Sequence, residues 1–185
     1  MNFNDHSELE GLHAFLSPSK YHWMNYDEDK LSKTYLNHLG IEKGTKLHEL
    51  ASTCIEMGTY LEDNGKTLNS FVNDSIEHGM ETEQPLYYSE NCFGTADSIS
   101  FDGQMLKIFD LKTGQTPAKV QQLEVYAALF CLEYGIDPED IEIELRIYQF
   151  DDIQVAIPDS KVISDIMNKI IEFDLKINSI KEGLK

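Results

Sequence analysis

The chain of 185 residues is long enough for one domain with a hydrophobic core, and its hydrophobic fraction of 41% and charged fraction of 26% are typical of a soluble globular protein. No apolar run approaches the ~20 residues of a membrane helix, and the polar, acidic beginning MNFNDHSELEGLHAF does not have the pattern of a secretory signal. The balance of 33 acidic against 15 basic residues, a net charge of −18, counts against a general nucleic-acid binder, which usually has the opposite sign.

The first predicted elements are helices. A short helix is expected in LSPSKYHWMN, where Pro18 suits the first helical position. The clearest helix is GTKLHELASTCIEMGTYLEDNG, whose apolar residues recur every three to four positions, with Gly58 filling a gap. It is expected to end near Asn64 and Gly65, a helix-stop signal. A second helix is predicted in TLNSFVNDSIEHG.

Strands dominate the middle of the chain. Three are predicted, in PLYYSENCF, GTADSISF and QMLKIFDLK. AKVQQLEVYAALFCLEYG is an apolar helix that ends at Gly135, IEIELRIYQFDD alternates as a fourth strand, and DSKVISDIMNKIIEFDLKINSIKEGLK is a long amphipathic helix. This order predicts an α/β domain with a central mixed β-sheet flanked by helices.

The stretch GTADSISFDGQMLKIFDLKTG is predicted to be a hairpin around Asp102-Gly103, a two-residue turn signal. With Phe101 and Gln104 flanking the turn, opposed residues have numbers that sum to 205. Asp97 then lies opposite Ile108 and diagonal to Asp110, roughly 7–8 Å away. Lys112 follows on the same face.

Two carboxylates this close repel each other unless a cation lies between them. A hard divalent ion such as Mg²⁺ removes that cost, and Lys112 beside it could stabilise negative charge that develops on a phosphate. The pattern therefore favours hydrolysis of a phosphodiester. The alternative is that Asp97 and Asp110 are solvated positions on an open sheet face; the apolar residues Ile99 and Leu106, predicted on the same face, weaken it.

Asp97 followed by Asp110-Leu111-Lys112 resembles the PD-(D/E)XK nuclease superfamily. GTAD, IFDLKTG and QQLEVYAALF are similar to its RecB-like branch, which includes the CRISPR-associated adaptation nucleases and many phage exonucleases. The resemblance covers about residues 40–150. It implies one domain over residues 1–185 with a restriction-endonuclease-like core at 41–157, an N-terminal helical extension at 1–40 and a C-terminal helix at 158–185.

The resemblance also implies the metal ligands. Asp97, Asp110 and the Leu111 carbonyl would hold Mg²⁺ or Mn²⁺. His48, in GTKLHELAS, would be a further ligand from an early helix, and an imidazole ligand tolerates Mn²⁺ at least as well as Mg²⁺.

The catalytic set implied by the resemblance is Asp97, Asp110, Lys112, Gln122 and Tyr126. Lys112 would be the catalytic lysine. Gln122 and Tyr126, one helical turn apart, would contact DNA or brace Lys112. For His48, Gln122 and Tyr126 the alternative is an ordinary structural role, and Glu90 on the preceding strand is considered as a group outside the ligand set.

The cysteines distinguish this chain from some members of the branch. Cys54, Cys92 and Cys131 are far apart and form no CxxC pair, which is typical of a reduced cytoplasmic protein. Several RecB-like nucleases hold an iron–sulfur cluster with one early and three late cysteines. Nothing after Cys131 supplies the late ligands, so no iron–sulfur cluster is expected.

The predicted function is a metal-dependent DNA nuclease, expected to be an exonuclease in phage or prophage replication or recombination. HAFLSPSKYHWMN is similar to the opening of phage proteins with the same nuclease core, which points to the cytoplasm of a bacterial host. The partners expected are DNA, a phage recombinase or single-strand-binding protein, and further copies of the chain, with no membrane. Two alternatives remain: an acidic inhibitor or DNA mimic on a nuclease fold, and a nuclease subunit that needs a partner.

Overall fold

The structure is a computed structural model that describes residues 7, 11 and 14–184. His13, with which the phage-like segment begins, and most of the polar start of the chain lie outside this range, as does part of the predicted extension at 1–40. The described residues up to Lys43 form one compact unit, and those from Gly44 onward form a second.

The first unit contains a 3-10 helix over Pro18–Asn25, where a short helix was predicted. Pro18 stands at its beginning, as expected from its fixed φ angle. The indole nitrogen of Trp23 donates to the Ser17 carbonyl at 3.0 Å and fastens the end of this segment to its start.

Helix α1 spans Glu28–Glu56 and includes the boundary between the two units. It therefore begins well before the predicted start at Gly44, and the predicted end near Asn64 and Gly65 is wrong. Gly58 does not fill a gap inside the helix. It has a φ of 61°, and this left-handed conformation ends the helix, as glycine commonly does.

Helix α2, Thr67–Glu77, leads into a five-stranded sheet. The strands are β1 (Glu81–Ser89), β2 (Cys92–Phe101), β3 (Met105–Leu111), β4 (Glu142–Gln149) and β5 (Asp152–Ala156), in that spatial order. All neighbours are antiparallel except β3 and β4, which are parallel and are joined through helix α3, Gln121–Tyr134. Helix α4, Ser160–Gly183, follows β5. The predicted α/β class with a mixed sheet flanked by helices is confirmed.

Strand β5 was not predicted, because the turn before it carries no glycine. Phe150 and Asp151 both have positive φ angles, 58° and 56°, as a two-residue hairpin turn requires. Asp151 is held in this conformation by Lys66 and by Thr67, whose backbone N–H donates to it at 3.0 Å. These contacts from the start of α2 thus stabilise positive φ angles that a glycine in the turn would adopt without help.

The predicted register of the β2–β3 hairpin is wrong by two residues. Phe101 pairs with Leu106 and Ser98 with Phe109, so opposed residues sum to 207 rather than 205. The turn is longer because the Asp102 carboxylate accepts hydrogen bonds from the Gln104 and Met105 backbone. A shift of two leaves the paired residues, 98–101 and 106–109, on their predicted faces.

Two apolar layers cover the two faces of the sheet. Ile108 and Leu145 pack with α3 and α4, whereas Phe109 and Tyr148, which alternate with them, pack with α1 and α2. Gly135, with a φ of 65°, ends α3 as predicted. Among the described residues no helix is long and apolar enough to cross a membrane.

Candidate metal and catalytic site

The site lies where the side-chain alternation of β1 and β2 changes phase. Thr82 of β1 is paired with Ser98 of β2. Both side chains face the layer formed by α1 and α2: Thr82 is hydrogen-bonded to Ser52 of α1 at 2.9 Å, and Ser98 to Ser75 of α2 at 3.1 Å. Two residues further, Ala96 packs in the opposite layer, with α3. In regular strands residues two apart share a face, so the alternation is interrupted at Asp97 and at the residue opposite it in β1.

Asp97 ends the ladder between β2 and β3. Its Oδ2 accepts a hydrogen bond of 2.9 Å from the Leu111 N–H, where a backbone carbonyl would otherwise be the acceptor. The same oxygen lies 3.4 Å from His48 Nδ1 on α1. The Leu111 atom in contact with Asp97 is therefore its amide nitrogen.

The surroundings of Asp97 disfavour its charged form. Burial is the main cause and the neighbouring Asp110 carboxylate the second, and together they raise the pKa of Asp97 to about 6. His48, the Leu111 N–H and Lys112 oppose this shift. Without a cation the site thus holds more negative charge than it stabilises.

Asp110 and Lys112 form the second half of the site, on the face of β3 that α3 covers. Asp110 is 3% exposed. The Lys112 Nζ donates to Asp110 Oδ1 at 3.0 Å and to Gln122 Oε1, on α3, at 2.9 Å. It also lies 2.9 Å from Asp110 Oδ2, but without hydrogen-bond geometry, and across the described chain this is the one buried side-chain oxygen or nitrogen that has no hydrogen bond.

Two glycines allow the helices to approach the site. A Cβ on Gly44 would lie 2.7 Å from Thr113 Oγ1, so a bare backbone lets α1 approach the loop after β3, one turn before His48. A Cβ on Gly94 would lie 2.9 Å from Tyr126 Cε1, so the Tyr126 ring rests directly on β2.

The structure therefore brings His48, Asp97, Asp110, Lys112 and Gln122 together. Tyr126 stands one turn beyond Gln122, against Gly94. Glu90 lies exposed in the turn between β1 and β2, and the structure does not bring it to the cluster.

Glu83 is the residue that the sequence reasoning missed. His48, Glu83 and Asp97 each offer a ligand atom, and these three atoms lie within 4.8 Å of one another. Glu83 occupies the β1 position opposite Asp97, between the pairs formed by Thr82 and Gln84. The only signal in the sequence is its place in ETEQPL, just before the predicted strand, which does not indicate a partner.

The donor set fits a divalent cation that accepts both nitrogen and oxygen. One imidazole and neighbouring carboxylates suit Mn²⁺ and are acceptable to Mg²⁺. Asp110 Oδ2 is buried and accepts no hydrogen bond, but it is ion-paired with the Lys112 Nζ at 2.9 Å. The ligand atoms of His48 and Asp97 converge with one from Glu83, whereas Asp110, also predicted as a ligand, is not part of that group.

Comparisons with known proteins do not identify the chain. No protein-family model and no curated protein matches it. A solved structure titled "Crystal structure of SSO0001" is similar over 77% of this chain and 86% of that chain, with 12% sequence identity and a TM-score of 0.29. A similarity this weak carries no argument, so function is inferred from the site itself.

Proposed function

We propose that this protein is a metal-dependent deoxyribonuclease that hydrolyses phosphodiester bonds. The observation that carries the proposal is the position of Lys112. Its ammonium group is held by Asp110 and Gln122, and its charge acts on the carboxylate of Asp97, which in turn lies 3.4 Å from the imidazole of His48. An ammonium held next to a cluster of metal-binding groups suits a reaction in which negative charge develops on phosphate oxygens.

The side chains of the site have separate roles in the proposed reaction. When bound, a divalent cation supplies Lewis-acid polarisation of the phosphate and greater acidity of the attacking water. Lys112 has three N–H donors, and Asp110 and Gln122 accept two of them, which leaves one for a phosphate oxygen or the attacking water. Gln122 keeps the lysine from swinging away, and the Leu111 N–H fixes the orientation of the Asp97 carboxylate.

The resemblance to RecB-like nucleases supports a narrower form of the proposal. It suggests an exonuclease of phage or prophage origin, acting on DNA in the bacterial cytoplasm during replication or recombination. A recombinase, a single-strand-binding protein or further copies of the chain are its proposed partners. Each of these rests on sequence resemblance rather than on the geometry of the site.

The charge of −18 supports a second candidate, an acidic inhibitor or DNA mimic built on the same fold. Such a protein would need its acidic surface but not Lys112. A third, a nuclease subunit that works only with a partner, would keep Lys112 essential and show activity only in the complex.

The test is cleavage of circular and linear DNA, each single- and double-stranded, with Mn²⁺, Mg²⁺ or EDTA. We expect metal-dependent cleavage by the wild type and a loss of at least about 100-fold in Lys112→Ala, since Lys112 contacts the reacting group. Lys107→Ala is the matched control, because Lys107 lies in β3, just before Lys112 in the chain, but contacts His78 instead. Equal activity of Lys112→Ala and wild type would refute the proposal.

Absence of cleavage by folded, metal-loaded wild type would also count against a self-sufficient nuclease. The same substrates are then tested with a single-strand-binding protein or recombinase added. Activity restored by the partner, and still lost in Lys112→Ala, would support the subunit; inhibition of another nuclease that survives Lys112→Ala would support the acidic inhibitor.

A further inference from the structure

We propose that Glu83 is a metal ligand, and that it completes a three-residue site with His48 and Asp97. This assignment deepens the proposed function and rests on it, since it names a ligand of the same centre. It adds a residue from β1, a strand to which the sequence assigned no metal ligand.

The register of the sheet places Glu83 beside Asp97. Thr82 pairs with Ser98 and Gln84 with Ala96, so Glu83 and Asp97 are opposed on neighbouring strands. The three ligand atoms lie within 4.8 Å of one another. Around a six-coordinate ion with bonds of ~2.1 Å, ligand atoms are roughly 3 to 4 Å apart. The Glu83 side chain is exposed, so a small rotation closes the difference.

The backbone conformation at Glu83 is energetically unfavourable. Its φ of 48° is in the left-handed region, which a non-glycine residue adopts reluctantly. The same position is where β1 and β2 change the phase of their alternation, and there ligand atoms of Glu83 and Asp97 lie within 4.8 Å of each other. A divalent cation between two such carboxylates would reduce their repulsion. No hydrogen bond or ion pair joins the Glu83 side chain to another described residue.

A separate observation concerns Asp110, which lies near this group. Its Oδ2 is buried and accepts no hydrogen bond, and the Lys112 Nζ lies 2.9 Å from it. Glu83, Asp97 and Asp110 together carry three negative charges when ionised, and Lys112 returns one positive charge. One divalent cation would balance the remaining two.

The types of ligand atom also predict which divalent ion binds more tightly. Imidazole nitrogen is a good ligand for Mn²⁺ and a poor one for Mg²⁺, which prefers oxygen and keeps its waters. With Glu83 added, the protein supplies three ligands from three elements, α1, β1 and β2. We therefore expect Mn²⁺ to bind more tightly than Mg²⁺.

The test measures Mn²⁺ binding to the full chain by calorimetry, with free Mn²⁺ followed by electron paramagnetic resonance. We expect Glu83→Gln, which keeps the size of the side chain, to raise the Kd for Mn²⁺ about tenfold or more. Glu90→Gln is the matched control, because Glu90 is exposed in the turn of the same hairpin. Its Kd should equal that of the wild type.

A second variant separates ligation from folding. Asparagine tolerates the left-handed region better than glutamate, so Glu83→Asn should keep or raise the Tm of the metal-free protein while still weakening Mn²⁺ binding. Wild-type Mn²⁺ affinity in both Glu83 variants would overturn the proposal, and so would an equal loss in Glu90→Gln.

The binding and cleavage results distinguish the two proposals. Mn²⁺ binding that depends on Glu83, in a protein that cleaves no DNA with or without an added partner, would support the ligand and refute the nuclease. Metal-dependent cleavage together with an unchanged Mn²⁺ affinity in Glu83→Gln would support the nuclease and refute Glu83 as a ligand. A wild type that binds no Mn²⁺ would overturn the ligand assignment, and one that binds neither Mn²⁺ nor Mg²⁺ would overturn both.

Discussion

At the scale of single residues, the site combines groups that are unfavourable together in the metal-free protein. Asp97 shows this best, because its carboxylate is buried, lies near Asp110 and is compensated only in part by the Leu111 N–H and His48. A site whose negative charge is only partly neutralised by neighbouring groups favours the binding of a cation. The consequence can be measured as a dependence of stability on pH.

With a chelator present, the contribution of Asp97 to the free energy of unfolding should fall as the pH rises from about 4 to 7. Its pKa of about 6 in the folded protein exceeds the ordinary value of 3.8, so the folded state binds the proton more tightly. The stabilisation is complete below the ordinary pKa and is lost as the pH passes the raised one. A shift of this size corresponds to about 3 kcal/mol.

Urea denaturation of wild type and Asp97→Asn in EDTA, at half-unit steps of pH, measures this contribution. The difference between the two proteins isolates Asp97 from the other titrating groups. The wild type should lose stability relative to Asp97→Asn as the pH rises through 6. Curves that run parallel from pH 4 to 7 would show that Asp97 titrates normally.

At the scale of elements, loops and glycines determine whether the groups meet. Gln149, at the end of β4, is buried and holds the loop between β3 and α3: its amide donates to the Gly114 and Thr116 carbonyls at 2.9 Å, and its oxygen accepts from the Ala118 N–H. This loop connects the strand end that carries Lys112 to the helix that carries Gln122. On the other side, Gly44 sets how closely α1 approaches.

Gly44→Ala should weaken Mn²⁺ binding several-fold even though Gly44 contacts no metal ligand. The added Cβ would lie 2.7 Å from Thr113 Oγ1, so the Thr113 side chain, the loop or α1 must move, and His48 is one turn away. The double variant Gly44→Ala/Thr113→Ala removes that oxygen and should recover the wild-type Kd, measured by calorimetry.

Gly40→Ala is the control for helix propensity. A Cβ at Gly40 meets nothing within 4 Å, so this change should raise stability by roughly 0.5–1 kcal/mol and leave the Kd unchanged. If Gly44→Ala behaves like Gly40→Ala, the close approach of α1 is not what positions His48.

These contacts also mark the limit of what the sequence can predict. The hairpin, the shared face of Asp110 and Lys112, and the sheet flanked by helices follow from periodicity and turn residues. The register was missed by two because a shift of two preserves every face. β5 and Glu83 were missed because Glu83, Phe150 and Asp151 take positive φ angles without being glycine, and such conformations are imposed by tertiary contacts.

At the scale of the whole molecule, the charge of −18 is the property that a DNA enzyme must overcome. The Debye length shrinks from ~30 Å at 0.01 M salt to ~8 Å at 0.15 M. At low salt the acidic residues of the entire chain repel DNA, whereas near physiological salt only those close to the site do. Association should therefore depend on salt in the opposite sense to that of basic DNA-binding proteins.

We accordingly expect kcat/KM for DNA cleavage, at fixed saturating Mn²⁺, to rise as KCl increases from about 20 to 150 mM, with kcat nearly constant. A rise confined to kcat/KM locates the effect in association, because screening acts on the approach of the charged substrate and not on chemistry inside the site. A steep fall would instead reveal several lysine–phosphate contacts that outweigh the net charge. In that case the acidic residues would have to lie away from the path of the DNA, and the charge would no longer favour the acidic inhibitor.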